Sequence, residues 1–393
     1  MPLKSKQEKI KELLTRGVEE AISKEHLEKK LNSGKKLRIK LGIDPTSPNL
    51  HLGRSLPLLK LHDFQELGHK IVLIIGDFTG VIGDTSDKDS ERPMLEKKIV
   101  EKNMKNYVAQ AGKILDIKKC EVRHNSEWLG KLTYAEIGAQ ADQFSVAEFI
   151  TRENIKRRLK EGKRVSLRET LYPLMQGYDS VAIKADVEIG GTDQRFNLLA
   201  GRKMQQFYRQ EPQDIITNPL IEGTDGRKMS SSWGNTINLT EKPNEMFGKI
   251  MSIKEDLIIR YFALATRVPI KDIKKYEKEI KQGANPRDFK LKLGYEIVKF
   301  YHNEKQAKAG WEYFLKTFSK KETPKNVPLL RVREHDIISV LIEAGACASK
   351  SDARRVVQQG GVKINQKTVL SFDYKTRAGD IIQKGKRFFI KIA

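Results

Sequence analysis

Four short stretches of this chain group residue types that do chemistry together. In GIDPTSPNLHLGRS (42–55), His51, Gly53 and Arg54 stand between a segment that reads as a strand and one that reads as a helix. A glycine at such a turn lets backbone approach a ligand closely, and the first amides of the helix offer donors to phosphate. His51 can donate to a phosphoryl group as charge builds on it, although helix capping alone would account for the same local pattern. In DGRKMSSSWGN (225–235), Lys228 and the hydroxyls of Ser230, Ser231 and Ser232 follow Arg227 in what reads as a mobile loop, able to close on the outer phosphates of a nucleotide during reaction. In YPLMQGYDS (172–180), Tyr172, Gln176 and Asp179 recur at i, i+4 and i+7, so one helical face carries a phenol, an amide and a carboxylate. That stripe can recognise a small zwitterion with a distal hydroxyl. The fourth stretch, GGTDQRFN (190–197), sets Gly191, Asp193 and Gln194 at an expected strand end.

The elements around these stretches must bring them together. Leu37 to Ile43 alternates as a strand, Leu56 to Leu67 reads as a helix, and Ile71 to Gly76 is a β-rich apolar run before GDFTG. This order implies a βαβ unit and a parallel sheet, whose ligands lie at the carboxyl ends of the strands. Residues 181–190 supply a later strand. Ser166 and Glu169 form a possible capping box, so a helix is expected to start there and to kink at Pro173. Residues 5–31 read as one amphipathic helix, with Ile10, Leu13, Leu14, Val18, Ala21 and Ile22 at helical spacing. Residues 93–165 and 241–318 are expected to be mostly helical. Pro324 and Pro328 mark a linker over 320–328, and a compact tail follows.

Composition narrows the class. Of 393 residues, 38% are hydrophobic and 32% charged, which suits two or three folded domains rather than a disordered chain. Cys120 and Cys347 are the only cysteines, too few for a disulfide framework or a four-ligand zinc site, so a reducing compartment is expected and no protein-ligated metal. No apolar run approaches the ~20 residues that span a bilayer, and the opening MPLKSKQEKIKELL has no apolar signal core and carries acids unlike a transit peptide. A cytoplasmic protein is the expectation. The net charge is +23, and residues 245–393 hold 32 basic against 17 acidic side chains, a candidate surface for a polyanion such as nucleic acid.

Taken together, His51-Leu52-Gly53-Arg54 and Lys228-Met229-Ser230-Ser231-Ser232, in this order and about 175 positions apart, resemble the paired HIGH and KMSKS signatures of class I aminoacyl-tRNA synthetases. The resemblance implies formation of an aminoacyl-adenylate from ATP, which brings magnesium with it, followed by transfer to the terminal adenosine of tRNA. It also implies ATP contacts from Thr46, His51, Gly53, Gly191, Asp193, Lys228, Met229 and Ser230 to Ser232, with His51, Arg54, Lys228 and Ser231 nearest the chemistry. YPLMQGYDS is similar to the amino-acid-binding helix of tyrosyl-tRNA synthetases. On that likeness Tyr172, Gln176 and Asp84 hold the substrate ammonium, Asp179 accepts from the tyrosine hydroxyl, Gln194 meets the reacting carboxylate, and Asp44 joins the substrate contacts.

SKSDARRVVQQGGVKINQK (349–367) resembles the small RNA-binding module that bacterial tyrosyl enzymes share with a small-subunit ribosomal protein. Lys350, Arg354, Arg355 and Lys363 are its candidate RNA contacts. The implied architecture is α/β: a Rossmann-like parallel-sheet catalytic domain over 1–225 with a helical insertion at about 93–165, a loop and helical tRNA-binding domain over 226–322, a linker at 323–330, and a small α+β RNA-binding domain over 331–393. A homodimer built through the insertion, with tRNA(Tyr), tyrosine and ATP as partners, is implied as well. Three positions depart from the family pattern. Arg54 replaces the second histidine of the first signature, Ser231 replaces the second lysine of the other, and Lys40 stands where many bacterial tyrosyl enzymes place a tyrosine that reads the substrate hydroxyl, so Lys40 is expected among the tyrosine contacts beside Asp179. Activation of tryptophan, and an RNA-binding paralogue that has lost catalysis, stay open as alternatives.

Overall fold

The structure, a computed structural model, describes residues 5–84, 94, 96–319, 327–332, 334–385 and 388–393. The chain forms two compact units, Met1–Ala307 and Lys308–Ala393. The first is built on a six-stranded sheet of β1 (Glu20–Ile22), β2 (Arg38–Ile43), β3 (Lys70–Ile75), β4 (Glu121–His124), β5 (Val187–Gly191) and β6 (Asp214–Asn218), in the order β1-β6-β5-β2-β3-β4. All neighbours are parallel except β1, which runs antiparallel to β6. From β2 the chain winds one way to β3 and β4 and the other way to β5 and β6. The crevice above the carboxyl ends of β2 and β5 is therefore the place where a ligand fits.

The central strands read as continuous apolar runs because both faces are covered. Ile71, Val72, Leu73, Ile74 and Ile75 of β3 are all 2% exposed or less. The helix Leu52–Glu66 follows β2 and starts four residues before the expected Leu56, with His51 as its N-cap residue. The helix Leu167–Ala182 begins in the expected Ser166–Glu169 capping box and runs on through Pro173. It extends into the stretch 181–190 that was expected to be strand, so β5 begins only at Val187.

Two other expectations are corrected. The segment 5–31 is not one helix. Helix Lys6–Leu13 ends before Gly17, which adopts φ +62°, and β1 then pairs with the open edge of β6 before a second helix, Lys24–Asn32. An antiparallel edge pairing outweighs the helical spacing of Val18, Ala21 and Ile22. Within 93–165, helices Lys97–Ala111, Tyr134–Ala141, Val146–Ile150 and Glu153–Lys160 are present, but β4 is a sheet strand that periodicity did not reveal.

Residues 226–307 belong to the same compact unit as the sheet, through helices Pro243–Met251, Ile258–Ala265, Ile270–Lys281 and Pro286–Tyr301. The second unit carries a five-stranded sheet of β7 (Leu329–Leu330), β8 (Val362–Ile364), β9 (Lys367–Thr368), β10 (Ile381–Lys384) and β11 (Phe388–Ile392), in the order β7-β11-β10-β8-β9. Helices Ile337–Glu343 and Lys350–Gln358 pack Ile337, Leu341, Ala353 and Val357 into its core. Of the expected linker, residues 320–326 lie outside the described residues. Leu329 and Leu330, at its far end, are strand because they pair with β11.

Candidate functional site

A cavity of about 370 Å³ opens above the carboxyl ends of β2, β3, β5 and β6. Every candidate residue for the amino-acid and ATP sites lines it except Lys40. Each strand contributes through the loop that follows it: Asp44, Thr46 and His51 after β2, Asp84 after β3, Asp193 and Gln194 after β5, and Lys228 to Ser232 after β6. The helix Leu167–Ala182 supplies Tyr172, Gln176 and Asp179, its i, i+4, i+7 stripe turned into the cavity as the spacing implies.

A continuous hydrogen-bond chain organises the inner end. The Tyr172 hydroxyl donates to Asp44 Oδ2 at 2.8 Å, and Thr79 Oγ1 donates to Asp44 Oδ1 at 2.7 Å. Asn125 Nδ2 donates to Thr79 Oγ1 at 2.9 Å and to Asp179 Oδ2 at 3.4 Å, while Trp128 Nε1 donates to Asp179 Oδ1 at 2.8 Å. Gly76 is required beside it, because a Cβ there would overlap the Asp44 carboxylate and the Thr79 hydroxyl. Burial raises the Asp179 carboxyl to about 7 against the lowering effects of Lys40 and of the Trp128 and Asn125 donors. Burial, then the carboxylate of Asp44, also pushes the Tyr172 phenol well above its ordinary value, so it stays a donor. Thr79, Asn125 and Trp128 were not anticipated from sequence. They sit in GDFTG and just after the unforeseen β4.

Lys40 is the one candidate placed elsewhere. It is fully buried behind the cavity, where Nζ donates to the Gln176 carbonyl and to Ser180 Oγ at 2.8 Å each and pairs with Glu188 Oε1 at 2.9 Å. An ammonium removed from water needs such partners, and they hold it away from any ligand in the cavity. The place expected for it in the amino-acid pocket is therefore corrected.

At the outer end the first signature is joined by one antiparallel bridge, His51 to Asn238, to the backbone just beyond 225–235, and by one contact to Met229 of the second signature. Leu52 N–H donates to the Ile237 carbonyl and Leu239 N–H to the Leu50 carbonyl, and Gly53 N–H meets Met229 Sδ at 3.4 Å. His51 is 5% exposed and its Nδ1 has no partner among the described residues. Burial, then the charges of Arg54 and Lys228, lowers its pKa to about 3, so the imidazole is neutral. Arg54 donates to the Tyr107 hydroxyl at 2.7 Å and to Thr46 Oγ1 at 3.1 Å. Lys228 Nζ meets Asp193 Oδ2 at 2.9 Å, and Gln194 Oε1 accepts the Gly191 N–H at 3.2 Å.

The segment 225–235, expected as a mobile loop, is tied at several points. Asn235 Nδ2 donates to Asp225 Oδ1 and to the Lys228 carbonyl, Asn235 Oδ1 accepts the Ser230 N–H, and Arg227 pairs with Asp225 while its guanidinium lies 4.8 Å from the Trp233 ring. These bonds present Ser230, Ser231 and Ser232 to the cavity. In the second unit, Lys350, Arg354 and Arg355 are exposed on the helix Lys350–Gln358, whose Ala353 and Val357 face the core, and Lys363 on β8 is half-buried. Arg355 is paired with Asp352 at 2.6 Å.

Known proteins are similar to this chain over nearly all of its length. The family model described as tRNA synthetases class I (W and Y) matches residues 31–319, and one described as the tyrosine–tRNA ligase SYY-like C-terminal domain matches residues 320–391. A tyrosine–tRNA ligase of Thermotoga maritima is 48% identical over 98% of this chain and 98% of its own, and one of Carboxydothermus hydrogenoformans is 45% identical over 97% of each. Among solved structures, tyrosyl-tRNA synthetase of Archaeoglobus fulgidus complexed with L-tyrosine shares the fold with a TM-score of 0.62 at 22% identity, covering 78% of this chain and all of the other. A C-terminally truncated mitochondrial tyrosyl-tRNA synthetase of Aspergillus nidulans gives a TM-score of 0.65 at 22% identity, covering 80% and 95%.

Proposed function

The chain belongs to the class I tRNA synthetases of the W and Y group, and we propose that it is a tyrosine–tRNA ligase that consumes ATP and releases AMP and diphosphate. The observation that carries this reading is the Asp179 carboxyl at the inner end of the cavity, fully buried and held by Trp128 and Asn125, where a phenolic hydroxyl can donate to it. Full-length relatives called tyrosine–tRNA ligases and the tyrosine-type match of residues 320–391 support it over tryptophan.

In this reading tyrosine lies with its hydroxyl toward Asp179 and its ammonium toward Tyr172, Gln176 and Asp84. Magnesium–ATP lies across Thr46, His51, Gly53, Gly191, Asp193 and the segment Lys228 to Ser232. The tyrosine carboxylate, steered by Gln194, attacks the α-phosphorus and pyrophosphate leaves. A ribose hydroxyl of the terminal adenosine of tRNA(Tyr) then attacks the tyrosyl carbonyl and AMP leaves. No side chain becomes covalently bound. Positioning and charge stabilisation lower the barrier. Arg54 and Lys228 supply positive charge beside a neutral His51, and Ser231 offers a hydroxyl where the family signature has a lysine. Lys350, Arg354, Arg355 and Lys363 track the RNA backbone.

The enzyme acts in the cytoplasm as a homodimer. Exposed apolar side chains at Tyr134, Val146, Ile150 and Leu159 support a partner over the insertion, and light scattering at micromolar concentration tests it. Among the described residues no helix is long and apolar enough to cross a membrane. The test of function is exchange of labelled pyrophosphate into ATP. Exchange that depends on tyrosine, followed by charging of tRNA(Tyr), is the expected result. Exchange driven by tryptophan, or RNA binding with no exchange at all, overturns the reading.

A further inference from the structure

We propose that Glu188, with Lys40 as its counter-charge, is a positioning residue that makes the amino-acid pocket select a free α-ammonium, by fixing the Gln176 amide so that its carbonyl oxygen faces the ligand. The inference rests on the tyrosine-activating reading and deepens it. Glu188 lies on β5, is 1% exposed, and is engaged on both oxygens. Its Oε1 accepts from Gln176 Nε2 at 3.0 Å and meets Lys40 Nζ at 2.9 Å. Its Oε2 accepts from Ser180 Oγ at 3.1 Å and from Gln213 Nε2. Helix Arg195–Phe207 closes over this cluster at Gly201, where a Cβ would crowd Gln213, Ser180 and Glu188.

The consequence follows from what each group can do. A carboxylate only accepts hydrogen bonds, whereas a carboxamide has one donating and one accepting end. Facing Glu188, Gln176 must turn its NH₂ outward from the cavity and its carbonyl oxygen the other way. That oxygen is buried, has no partner among the described residues, and belongs to a residue lining the cavity. Lys40 fixes the same residue a second time, through its backbone carbonyl at 2.8 Å. Gln176 is thus held at main chain and side chain by one ion pair. An orphaned buried acceptor is costly until a donor arrives. A primary ammonium, with three donors and no acceptor, satisfies it and a hydroxyl or carboxylate at that place does so less well. Lys40 therefore acts on the ammonium end through Gln176, in addition to its charge lowering the Asp179 carboxyl at the other end.

The experiment compares tyrosine with 3-(4-hydroxyphenyl)propionate, which keeps the phenol and the carboxylate and lacks the amine, in the full-length wild type, Glu188→Gln, and the double variant Lys40→Met/Glu188→Gln. The double variant leaves no buried charge unpaired. A carboxamide at 188 can donate or accept, so Gln176 is no longer held in one sense. The ratio of the two dissociation constants should then fall by about tenfold, the order of one charge-assisted hydrogen bond, with KM for ATP unchanged. The double variant should give the same narrowing, and it decides the matter if Glu188→Gln alone does not fold. A packing defect without a positioning role lowers kcat and leaves the ratio where it was, and that result in a folded variant overturns the proposal. Wild-type protein that shows no tyrosine-driven exchange would instead overturn the underlying reading.

Discussion

Lys228 Nζ lies 2.9 Å from Asp193 Oδ2, so the two residues expected to grip opposite ends of one nucleotide grip each other. Their side chains are 28% and 24% exposed, and an ion pair this wet contributes only about 0–1 kcal/mol. ATP can therefore open it cheaply, freeing Asp193 for a ribose hydroxyl and Lys228 for phosphate. Lys228→Ala should lower kcat for pyrophosphate exchange by ~10²–10³, the magnitude typical of one lost transition-state donor, and leave KM for tyrosine nearly unchanged. Stopped exchange kinetics at saturating tyrosine measure this. A variant with full kcat and a raised KM for ATP would show that Lys228 only binds.

Asp179 predicts a pH dependence with a definite sign. Its folded carboxyl titrates at about 7, raised first by burial, against an ordinary value near ~4. The folded chain thus holds a proton that the unfolded chain has lost, and the stability this gives below pH ~4 disappears as pH rises through 7. Asp179→Asn should accordingly raise the melting temperature more at pH 8 than at pH 5. Tyrosine binding has the opposite slope, since a charged carboxylate accepts better from a phenol. KM for tyrosine should increase as pH falls from 8 to 5.5, and the Asn variant should lose that dependence. The variant should also lose most of the discrimination against phenylalanine, which reaches ~10⁴–10⁵ in a magnitude taken from tyrosyl enzymes themselves rather than from this structure.

His51 should not titrate near neutrality. Its pKa of about 3 comes from burial and then from the positive charges of Arg54 and Lys228, so the imidazole carries no charge across the working range. The pH profile of kcat should lack a limb near ~6.5, the ordinary histidine value, and the labelled ring should show no shift in an NMR titration down to pH 5. The unfolded chain takes up this proton near 6.5 and the folded chain does not, so stability falls as pH drops from there toward 3. His51→Gln should remove part of that acid sensitivity. A ring that titrates at 6 to 7 would sink the argument.

How far the sequence carries can be seen in particular residues. The strands β2 and β3 and the helix stripe of Tyr172, Gln176 and Asp179 were readable because their periodicities are strong and their neighbours are Gly, Pro and a capping box. The two signatures were readable as chemistry because a lone His–Gly turn and a lone Lys–Ser loop each say little, whereas both in one chain point to one ligand. Trp128 and Asn125 were hidden by β4, four residues long and half-buried, which has no run long enough to stand out in a helical region. Lys40 was misplaced for a different reason. A lysine between Ile39 and Leu41 in a strand gives no sign of which carboxylate will meet it, and its partner Glu188 is 148 positions away. Long-range pairings of buried charges are set by packing of elements, not by local pattern.

Gly53 gives the sharpest steric test of the outer site. A Cβ there would lie 3.1 Å from His51 Nδ1 and 3.2 Å from its Cε1, so the imidazole must give by a few tenths of an ångström, while Ile221 Cγ2 at 3.4 Å is in ordinary contact. The Gly53 N–H is also the group that meets Met229 Sδ, which ties the two signatures together. Gly53→Ala should cost about 1–3 kcal/mol of stability, as overpacking does, and raise KM for ATP by about tenfold while tyrosine affinity holds, because the inner chain from Tyr172 to Trp128 does not touch it. Gly248, inside helix Pro243–Met251 with nothing within 4 Å of a Cβ, is the control. Alanine there should stabilise by about 0.5–1 kcal/mol through helix propensity and change neither constant. Thermal melts and exchange kinetics on the two variants separate the outcomes, and equal behaviour would show that the HLGR turn tolerates a side chain and that its glycine is not there for close approach.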